Sequence, residues 1–293
     1  MPKQKIAFII NPISGKKHKK SIQKTVEKHL DAKKFEPFFA QTEYAGHGQK
    51  LAQQFVNQGF DIVVAVGGDG TVNEIARTLV HTQTALGIIP AGSGNGLALY
   101  LKIPKNMAHA VQFINQASIV EADYGLLNNQ AFFCTCGAGF DALVSADFAK
   151  GKIRGFIGYF WVIIRAFSKY KPQNYRLISK DFDFEVNNAF MINFANISQW
   201  GYNACIAPNA DIHDGKMEIT ILKKFPLFTA PRLAAQLFLK RIAKNRYVNT
   251  LTANEITVLS NTEDKFHFDG EPCQMPKEIN IKIISNGIKL LTK

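Results

Sequence analysis

The stretch DIVVAVGGDGT, residues 61–71, decides the fold, because it joins an apolar, strand-like run to a glycine-rich loop. A segment with helical spacing follows at residues 73–80. Two other apolar, β-rich runs, residues 6–10 and 85–89, also lead into small-residue loops, and further helices are expected at residues 21–30 and 108–115. Near-continuous apolar strands that alternate with helices form parallel sheets covered on both faces. Residues 1–121 are therefore predicted to form a three-layer α/β domain.

The pattern changes after about Glu121. Strand-like runs now meet at turns that contain asparagine: Asn128-Asn129, Asn187-Asn188 and Ser285-Asn286-Gly287. Asparagine tolerates the positive φ that tight hairpins need, so each turn is expected to join two antiparallel strands. Residues 122–293 are therefore predicted to form a β-rich domain, an antiparallel β-sandwich with helical insertions. Residues from about 280 to 293 are expected to pack back on the first domain.

The helical insertions are expected at about residues 146–170 and 231–245, and both regions are basic. Residues 223–246 contain seven Lys or Arg and no acid, with Leu233, Leu237, Phe238 and Ile242 near one helical face. Basic amphipathic segments suit an anionic membrane interface. A helix that faces the core and carries a basic outer surface shows the same periodicity, so the sequence leaves both interpretations open.

Composition and charge restrict the class of partner. Of the 293 residues, 46% are hydrophobic and 20% are charged, as in ordinary globular proteins. The formal net charge of +12 favours an anionic partner, which could be nucleic acid, an acidic membrane or a phosphorylated substrate. No helix-turn-helix, zinc or RNA-binding signature is found, so no nucleic-acid partner is predicted.

The cysteines and apolar runs bear on the expected location. Four cysteines are too few for a disulfide framework, so buried free thiols in a reducing compartment are expected. The apolar run at residues 6–10 is too short for a signal peptide, and the run at 156–167 is too short to span a bilayer. The protein is therefore expected to be cytoplasmic, neither secreted nor integral to a membrane.

Three small-residue loops follow the three strands of the first domain: NPISG at residues 11–15, GGDGT at 67–71 and PAGSGNG at 90–96. Ligands of open α/β sheets bind at the carboxyl ends of the strands, and glycine followed by a helix N-terminus suits a phosphate. Neither the P-loop motif nor a complete dinucleotide fingerprint is present. One such loop could be a simple tight turn, but three at one edge predict a phosphate-binding site.

Asp69 lies at the centre of the second loop. A carboxylate among phosphates is unfavourable unless it binds Mg²⁺ or accepts a proton. Phosphoryl transfer depends on charge neutralisation and an oriented nucleophile, both of which such a site could provide. The pattern therefore points to phosphoryl-transfer chemistry.

These loops resemble the nucleotide-binding loops of the diacylglycerol kinase catalytic-domain family, which includes soluble bacterial lipid kinases, ceramide kinases and sphingosine kinases. The matching motifs are N-P-x-S-G, G-G-D-G-T-x-N-E and P-x-G-S-G-N. NAD kinases and phosphofructokinases share the core G-G-D-G, so the resemblance implies a first domain of their fold. The implied ATP-binding residues are Asn11, Ser14, Gly15, Thr42, Gly67, Gly68, Asp69, Gly70, Thr71, Asn73, Glu74, Gly92, Ser93, Gly94 and Asn95.

The resemblance extends into the second half of the chain. Residues 211–218 (DIHDGKME) resemble the family's Mg²⁺ loop, which implies the Asp214 carboxylate and the main-chain carbonyls of Asp211 and Lys216 as ligands. Asp269-Gly270-Glu271 resembles the family's C-terminal D-G-E, which implies Glu271 as a catalytic residue and proton acceptor, with Asp69 left open as the alternative acceptor. From spacing alone, Asp214 would be a turn residue and Asp269-Gly270 a hairpin turn.

The resemblance implies an ATP-dependent lipid kinase that phosphorylates the hydroxyl of diacylglycerol or a related glycerolipid at an anionic membrane. Ser93 after Gly92 is closer to the sphingosine kinase version of the loop, which keeps a sphingoid base open as the acceptor. An NAD kinase-like enzyme with a soluble acceptor and a catalytically silent nucleotide-binding regulator are further alternatives. The oligomeric state stays open, with a homodimer as one option.

Overall fold

The computed structural model describes residues 2–14, 21–150, 167, 170–260 and 264–293. The chain divides into two compact units. The first unit comprises Met1–Ala122 together with Asn286–Lys293, and the second comprises Asp123–Ser285. Strand β5 (Ser118–Leu127) and strand β17 (Glu278–Thr292) each contribute residues to both units.

The first unit contains a parallel sheet in the order β4-β3-β1-β2. Its strands are β1 (Gln4–Ile10), β2 (Phe35–Gln41), β3 (Ile62–Gly67) and β4 (Ala85–Pro90). Every residue of β3 and β4 is buried, as expected for central strands covered on both faces. The helices are α1 (Ser21–His29), α2 (His47–Asn57), α3 (Asp69–Leu79), α4 (Gly96–Tyr100) and α5 (Met107–Ile114).

The three predicted strands and three predicted helices of this unit are confirmed, but helix α3 begins earlier than expected. It starts at Asp69, directly after the extended Gly68, so the last three of the five residues in the glycine-rich loop belong to the helix. Strand β2 and helices α2 and α4 were not predicted. The sequence of β2 contains Pro37, which is tolerated because β2 lies at the end of the strand order.

The second unit is dominated by antiparallel pairing in the order β16-β15-β7-β9-β8-β14-β17, with β12 between β9 and β13. A short β10–β11 pair stands apart. The strands not yet given are β6 (Gln130–Phe132), β7 (Thr135–Gly139), β8 (Gln173–Ile178), β9 (Asp183–Ala195), β10 (Gln199–Gly201), β11 (Ala204–Cys205), β12 (Met217–Lys223), β13 (Val248–Ala253), β14 (Glu255–Ser260), β15 (Asp264–Phe268) and β16 (Glu271–Met275). The α/β-plus-β fold class is confirmed.

Two of the three predicted asparagine hairpins are wrong. Asn188 and Asn286 do have positive φ, of 54° and 53°, but each lies inside a continuous strand, β9 and β17 respectively. Strand β8 pairs with β9 on both sides of Asn188, with a shift in register that marks a β-bulge. A left-handed asparagine serves a bulge as well as a turn, so the residue type alone does not distinguish them. The hairpin at Asn128 is confirmed by the β5–β6 pairing.

The helices of the second unit differ in extent from the predicted insertions. Helix α6 (Phe140–Lys150) begins before residue 146, and most of the remaining first insertion lies outside the described residues. The second insertion contains helix α7 (Ala230–Phe238), preceded by a 3-10 turn at Leu227–Thr229 and followed by another at Ile242–Lys244. Among the described residues, no helix is both long and apolar enough to cross a bilayer.

Candidate active site

The loops after β1, β3 and β4 lie at one edge of the parallel sheet. Ile10 pairs with Val66, and Gly67 pairs with Pro90, so the three strands end side by side. The second and third loops approach closely, since a Cβ added to Gly92 would lie 2.5 Å from the Cα of Gly68. Backbone contact between the loops therefore requires glycine at position 92, and a Cβ on Gly68 would lie only 3.2 Å from the Cα of Gly92.

The carboxylate of Asp69 joins the second loop to the third. Its Oδ1 accepts the N–H of Gly96 at 2.7 Å, and its Oδ2 accepts the N–H of Asn95 at 2.8 Å. A Cβ on Gly94 would lie 2.7 Å from Oδ2, so this glycine makes room for the carboxylate. Asp69 thus satisfies backbone donors at the start of α4, a role that the sequence did not reveal. An ionised carboxylate has about four lone-pair sites, so acceptor capacity remains for a metal ion or a proton.

The first and third loops are held by their own asparagines. Asn11 donates from Nδ2 to Thr71 Oγ1 at 2.8 Å and accepts the N–H of Ile13 at 3.0 Å, which ties the first loop to helix α3. Asn95 accepts the N–H of Gly92 at 3.1 Å and donates to its carbonyl at 2.8 Å. Gly15 lies outside the described residues.

The remaining predicted nucleotide-binding residues differ in their surroundings. Thr42 is buried, and its N–H donates to the Ile10 carbonyl at 3.0 Å, so it lies beside the first loop. Asn73 is buried with its Nδ2 unpaired among the described residues. Glu74 accepts the N–H of Gly46 at 3.0 Å and so fixes the entry to α2. Ser93 is exposed at the tip of the third loop.

The loop at residues 211–216 lies in the second unit and is held by Asp123, which the sequence analysis missed. Asp123 is buried, its Oδ2 accepts the N–H of Gly215 at 2.7 Å, and its own N–H donates to the Ile212 carbonyl at 2.8 Å. Asp211 and Asp214 are exposed, with their carboxylates closing turns onto the N–H groups of His213 and Lys216. Oxygen donors suit Mg²⁺. Among the described residues, no three His, Cys, Asp or Glu side chains lie close enough together to bind a metal ion. A Mg²⁺ ion here would therefore also need main-chain carbonyls and water.

The D-G-E motif forms the turn of the β15–β16 hairpin. Asp269 and Gly270 have φ of 50° and 81°, and Phe268 pairs with Glu271 across the turn. The Asp269 carboxylate accepts the N–H groups of Phe133, Cys134 and Thr135 at 2.8, 2.7 and 3.1 Å. Asp269 therefore has a structural role, whereas Glu271 is half-buried next to it.

Glu271 influences the thiol two residues further on. Burial and then the Glu271 carboxylate raise the pKa of Cys273 to about 11. Burial also raises the pKa of Cys136, helped by the charges of Asp269 and Asp141. These thiols are therefore protonated at neutral pH. All four cysteines are free, as expected, but only Cys136 and Cys205 are buried, whereas Cys134 and Cys273 are half-buried.

A buried pair close to this hairpin was also missed by the sequence analysis. His267 Nε2 lies 3.0 Å from Asp141 Oδ2, and both side chains are about 5% exposed or less. A Cβ on Gly137 would lie 2.6 Å from that carboxylate oxygen, so the glycine makes space for the pair. No motif marks these residues, which are 126 positions apart and come together only through the β15–β7 pairing.

The chain matches two family models. Residues 5–127 match the diacylglycerol kinase catalytic domain, and residues 134–291 match the YegS C-terminal NAD kinase beta sandwich-like domain. A protein of Staphylococcus saprophyticus named diacylglycerol kinase is 26% identical over 275 residues, which cover 92% of this chain and 89% of that protein. A Yersinia enterocolitica protein named "Probable lipid kinase YegS-like" is 28% identical over 250 residues, covering 81% and 82%.

Solved structures show the same fold. A crystal structure of a diacylglycerol kinase from Bacillus anthracis matches with a TM-score of 0.75 at 19% identity, covering 99% of this chain and 97% of that one. A second structure from the same organism matches with a TM-score of 0.82 at 23% identity, with coverage of 99% and 97%. With both halves matched by family models, the chain belongs to the diacylglycerol kinase catalytic-domain family of lipid kinases and is a phosphotransferase that acts on an alcohol group.

Proposed function

We propose that this enzyme transfers the γ-phosphoryl group of ATP to the hydroxyl of diacylglycerol or a closely related glycerolipid, with Mg²⁺. The observation that carries the proposal is the meeting of two glycine loops around Asp69, at the edge where three parallel strands end. The relatives named diacylglycerol kinase support this acceptor. In the reaction, the lipid oxygen would bond to the γ-phosphorus, ADP would leave, and the hydroxyl proton would pass to a carboxylate.

The nucleotide would lie over the first unit's loops. The N-terminal turn of α3 offers N–H groups without intrahelical partners, together with the positive end of the helix dipole, to the phosphates. Asn11, Asn95 and Asp69 hold the loops in place for this contact. The other nucleotide contacts proposed from the sequence are those of Ser14, Gly15, Thr42, Gly67, Gly68, Gly70, Thr71, Asn73, Glu74, Gly92, Ser93 and Gly94.

Glu271 is proposed as the proton acceptor, with Asp69 as the carboxylate that orients Mg²⁺–ATP. The structural role of Asp269 supports this assignment, because its carboxylate accepts three backbone hydrogen bonds, whereas Glu271 is the first residue after the turn. The exposed Asp214, with the carbonyls of Asp211 and Lys216, is proposed to hold a second Mg²⁺. Bound Mg²⁺ would supply charge neutralisation to the transferring phosphoryl group.

The acceptor can be identified with radiolabelled ATP and Mg²⁺ against a panel of diacylglycerol, sphingosine, ceramide and NAD. We expect label in diacylglycerol or another glycerolipid. Label in sphingosine alone would replace the glycerolipid with a sphingoid base, and label in NAD alone would replace the lipid with a soluble acceptor. Wild-type protein that labels none of them, although ATP raises its thermal midpoint, would refute the proposed activity and favour a nucleotide-binding regulator.

Contact with an anionic membrane is part of the proposal, because the acceptor is a bilayer lipid and the chain carries a net charge of +12. A cationic protein gains from the negative potential of an acidic leaflet. Since no spanning helix is found among the described residues, the contact would be peripheral.

A further inference from the structure

Helix α7 and its flanks expose large apolar side chains. Leu227 and Phe228, before the helix, are 65% and 80% exposed, and Phe238 and Leu239, at its end, are 47% and 64% exposed. The outward residues between them, Pro231, Ala234 and Ala235, are also apolar and exposed. Single exposed apolar residues need no explanation, but four large ones within thirteen residues mark an interaction surface.

The core does not require these side chains. Leu233 and Ile242 are buried, and Leu237 packs against the same cluster of apolar residues, which includes Phe190 and Phe225. These inward residues anchor the segment to the second unit. The core-facing interpretation is therefore correct for Leu233, Leu237 and Ile242, whereas Phe238 points away from the core.

A cationic pocket adjoins the exposed residues. It has a volume of about 310 Å³ and is lined by Phe228, Thr229, Arg232, Lys244, Asn245, Arg246 and Tyr247. This volume is at the lower end of the range for ligand pockets, roughly 300–1,000 Å³, so the pocket suits a small group. Three of the seven lining side chains are cations and none is an acid.

The pocket is partly prearranged for an anion. The Arg246 guanidinium lies 4.7 Å from the centre of the Tyr247 ring and donates from Nη2 to the Tyr247 hydroxyl at 2.6 Å. Asn245 donates to Gln236 at 2.6 Å and accepts the N–H of Tyr247 at 3.0 Å, which fixes the turn to α7. Within the described part of the chain, Arg232, Lys244 and Arg246 form no ion pair with a carboxylate.

We propose that this region, the docking surface (Leu227, Phe228, Arg232, Phe238, Leu239, Lys244 and Arg246), binds an anionic phospholipid bilayer. Arg232, Lys244 and Arg246 take the phosphate of one headgroup in the pocket, and the exposed Leu and Phe side chains enter the boundary of the acyl chains. Cations beside Leu and Phe are the composition of interfacial segments, which bury their apolar side to about 5–10 Å. The proposal rests on the proposed function, since it names where a lipid kinase meets its membrane.

Other occupants fit less well. A nucleic acid would pair with the cations but would leave the apolar side chains of Leu227, Phe228 and Leu239 exposed to water. A protein partner would need an acidic and apolar patch of matching shape, which is a narrower requirement. A bilayer with acidic headgroups provides both chemistries at once.

The test is sedimentation of the full-length protein, without nucleotide, with vesicles of phosphatidylcholine alone or mixed with phosphatidylglycerol. Wild-type protein should bind only the mixed vesicles. The triple variant Arg232→Gln, Lys244→Gln, Arg246→Gln should bind them roughly 100-fold more weakly, as expected for the loss of three basic residues near an anionic surface.

Two matched controls separate the effect of the docking surface from the effects of net charge and of exposed apolar area elsewhere. Lys28→Gln, Lys33→Gln, Lys105→Gln removes the same charge from exposed positions of the first unit and should lower binding far less. Leu227→Ser, Phe228→Ser removes apolar area without changing the charge and should also weaken binding. Ile119→Ser, at a site 40% exposed in the first unit, should not. Both altered segments are exposed, so folding should be preserved.

If the two triple variants lost vesicle binding equally, the pocket would be refuted as the headgroup site. Binding would then depend on net charge alone. Unchanged binding of the Leu227 and Phe228 variant would overturn the apolar contact, and failure of wild type to bind the mixed vesicles would overturn the whole proposal. Phosphorylation of a dispersed short-chain diacylglycerol is measured separately. If wild type lacks that activity, the proposed function fails, while vesicle binding still decides the docking surface.

Discussion

Three aspartates of this enzyme hold loops through backbone N–H groups. Asp69 accepts two such groups from the third loop, and Asp123 accepts one from the loop at residues 211–216. Asp269 accepts three from residues 133–135, which lead into β7. Hydrogen bonds to a charged acceptor are stronger than those between neutral groups. At the residue scale, an acid in a motif can therefore be essential to the site without touching the substrate.

Replacing Asp69 with Asn tests its two roles together. The Asn side chain keeps one acceptor but turns an NH₂ group toward the other backbone donor, which should cost about 1–3 kcal/mol of stability. Loss of the charge should also lower kcat by roughly 100-fold or more. Thermal unfolding and initial rates measure the two effects. Asn95→Ala disturbs the same loop without removing a charge, so an equal loss of kcat in that variant would argue against a chemical role for Asp69.

Asp269→Asn and Glu271→Gln should separate structure from chemistry within one motif. Asp269→Asn should destabilise the protein by about 1–3 kcal/mol, because a backbone donor at the start of β7 loses its partner. Glu271→Gln keeps the shape of a half-buried side chain, so stability should change by less than about 0.5 kcal/mol. Its kcat should nevertheless fall roughly 10²–10⁴-fold if it accepts the proton.

Urea unfolding and steady-state kinetics on both variants are the measurements. Nucleotide affinity should be little changed in Glu271→Gln, because a proton acceptor acts mainly in the transition state. A Glu271→Gln enzyme with normal kcat would show that another group takes the proton.

At the scale of elements, the glycine loops act as spacers between strand ends and helices. Gly68 and Gly92 approach so closely that neither tolerates a large side chain, and Gly94 leaves room for the Asp69 carboxylate. Gly70, the second residue of α3, has nothing within 4 Å of an added Cβ. The same loop therefore contains one glycine that lies against the neighbouring loop and one whose added Cβ would meet no protein atom.

Gly68→Val should abolish nucleotide binding, whereas Gly70→Ala keeps the backbone N–H, brings its Cβ against no protein atom and should weaken binding far less. ATP with Mg²⁺ should raise the thermal midpoint of wild type by several degrees, since saturation at about 100 times Kd stabilises a protein by about 2.7 kcal/mol. The shift should disappear in Gly68→Val and persist in Gly70→Ala. If Gly68→Val retained the full shift, the nucleotide would have to bind elsewhere.

At the scale of the whole molecule, charge is the dominant property. The net charge of +12 acts over about 10 Å at 0.1 M salt and over about 3 Å at 1 M. Binding to anionic vesicles should therefore weaken steeply between these salt concentrations, as co-sedimentation would show. Activity on a dispersed short-chain substrate should change much less. Salt-independent vesicle binding would indicate that apolar insertion alone holds the protein on the membrane.

The sequence by itself determined β1, β3 and β4 and the loops that follow them, because a buried central strand is an unbroken apolar run. It did not determine β2, which lies at the end of the strand order and is only partly buried. It also determined the hairpins at Asn128 and Asp269, where a turn residue lies between two short strands. Tertiary pairing decided that Asn188 and Asn286 lie within strands, since a positive φ is compatible with a bulge or a turn.

Only the tertiary structure decided which acidic side chains form hydrogen bonds within the protein, and with which partners. Asp123 reaches the N–H of Gly215 across 92 positions, and His267 reaches Asp141 across 126. No local pattern records such pairs, because they depend on strand register. Likewise, helical periodicity placed Leu233 and Phe238 on one face of α7, but packing against the second unit buries Leu233 and leaves Phe238 exposed. Periodicity predicts which side chains share a helix face. The elements packed against the helix decide how many of those side chains are buried.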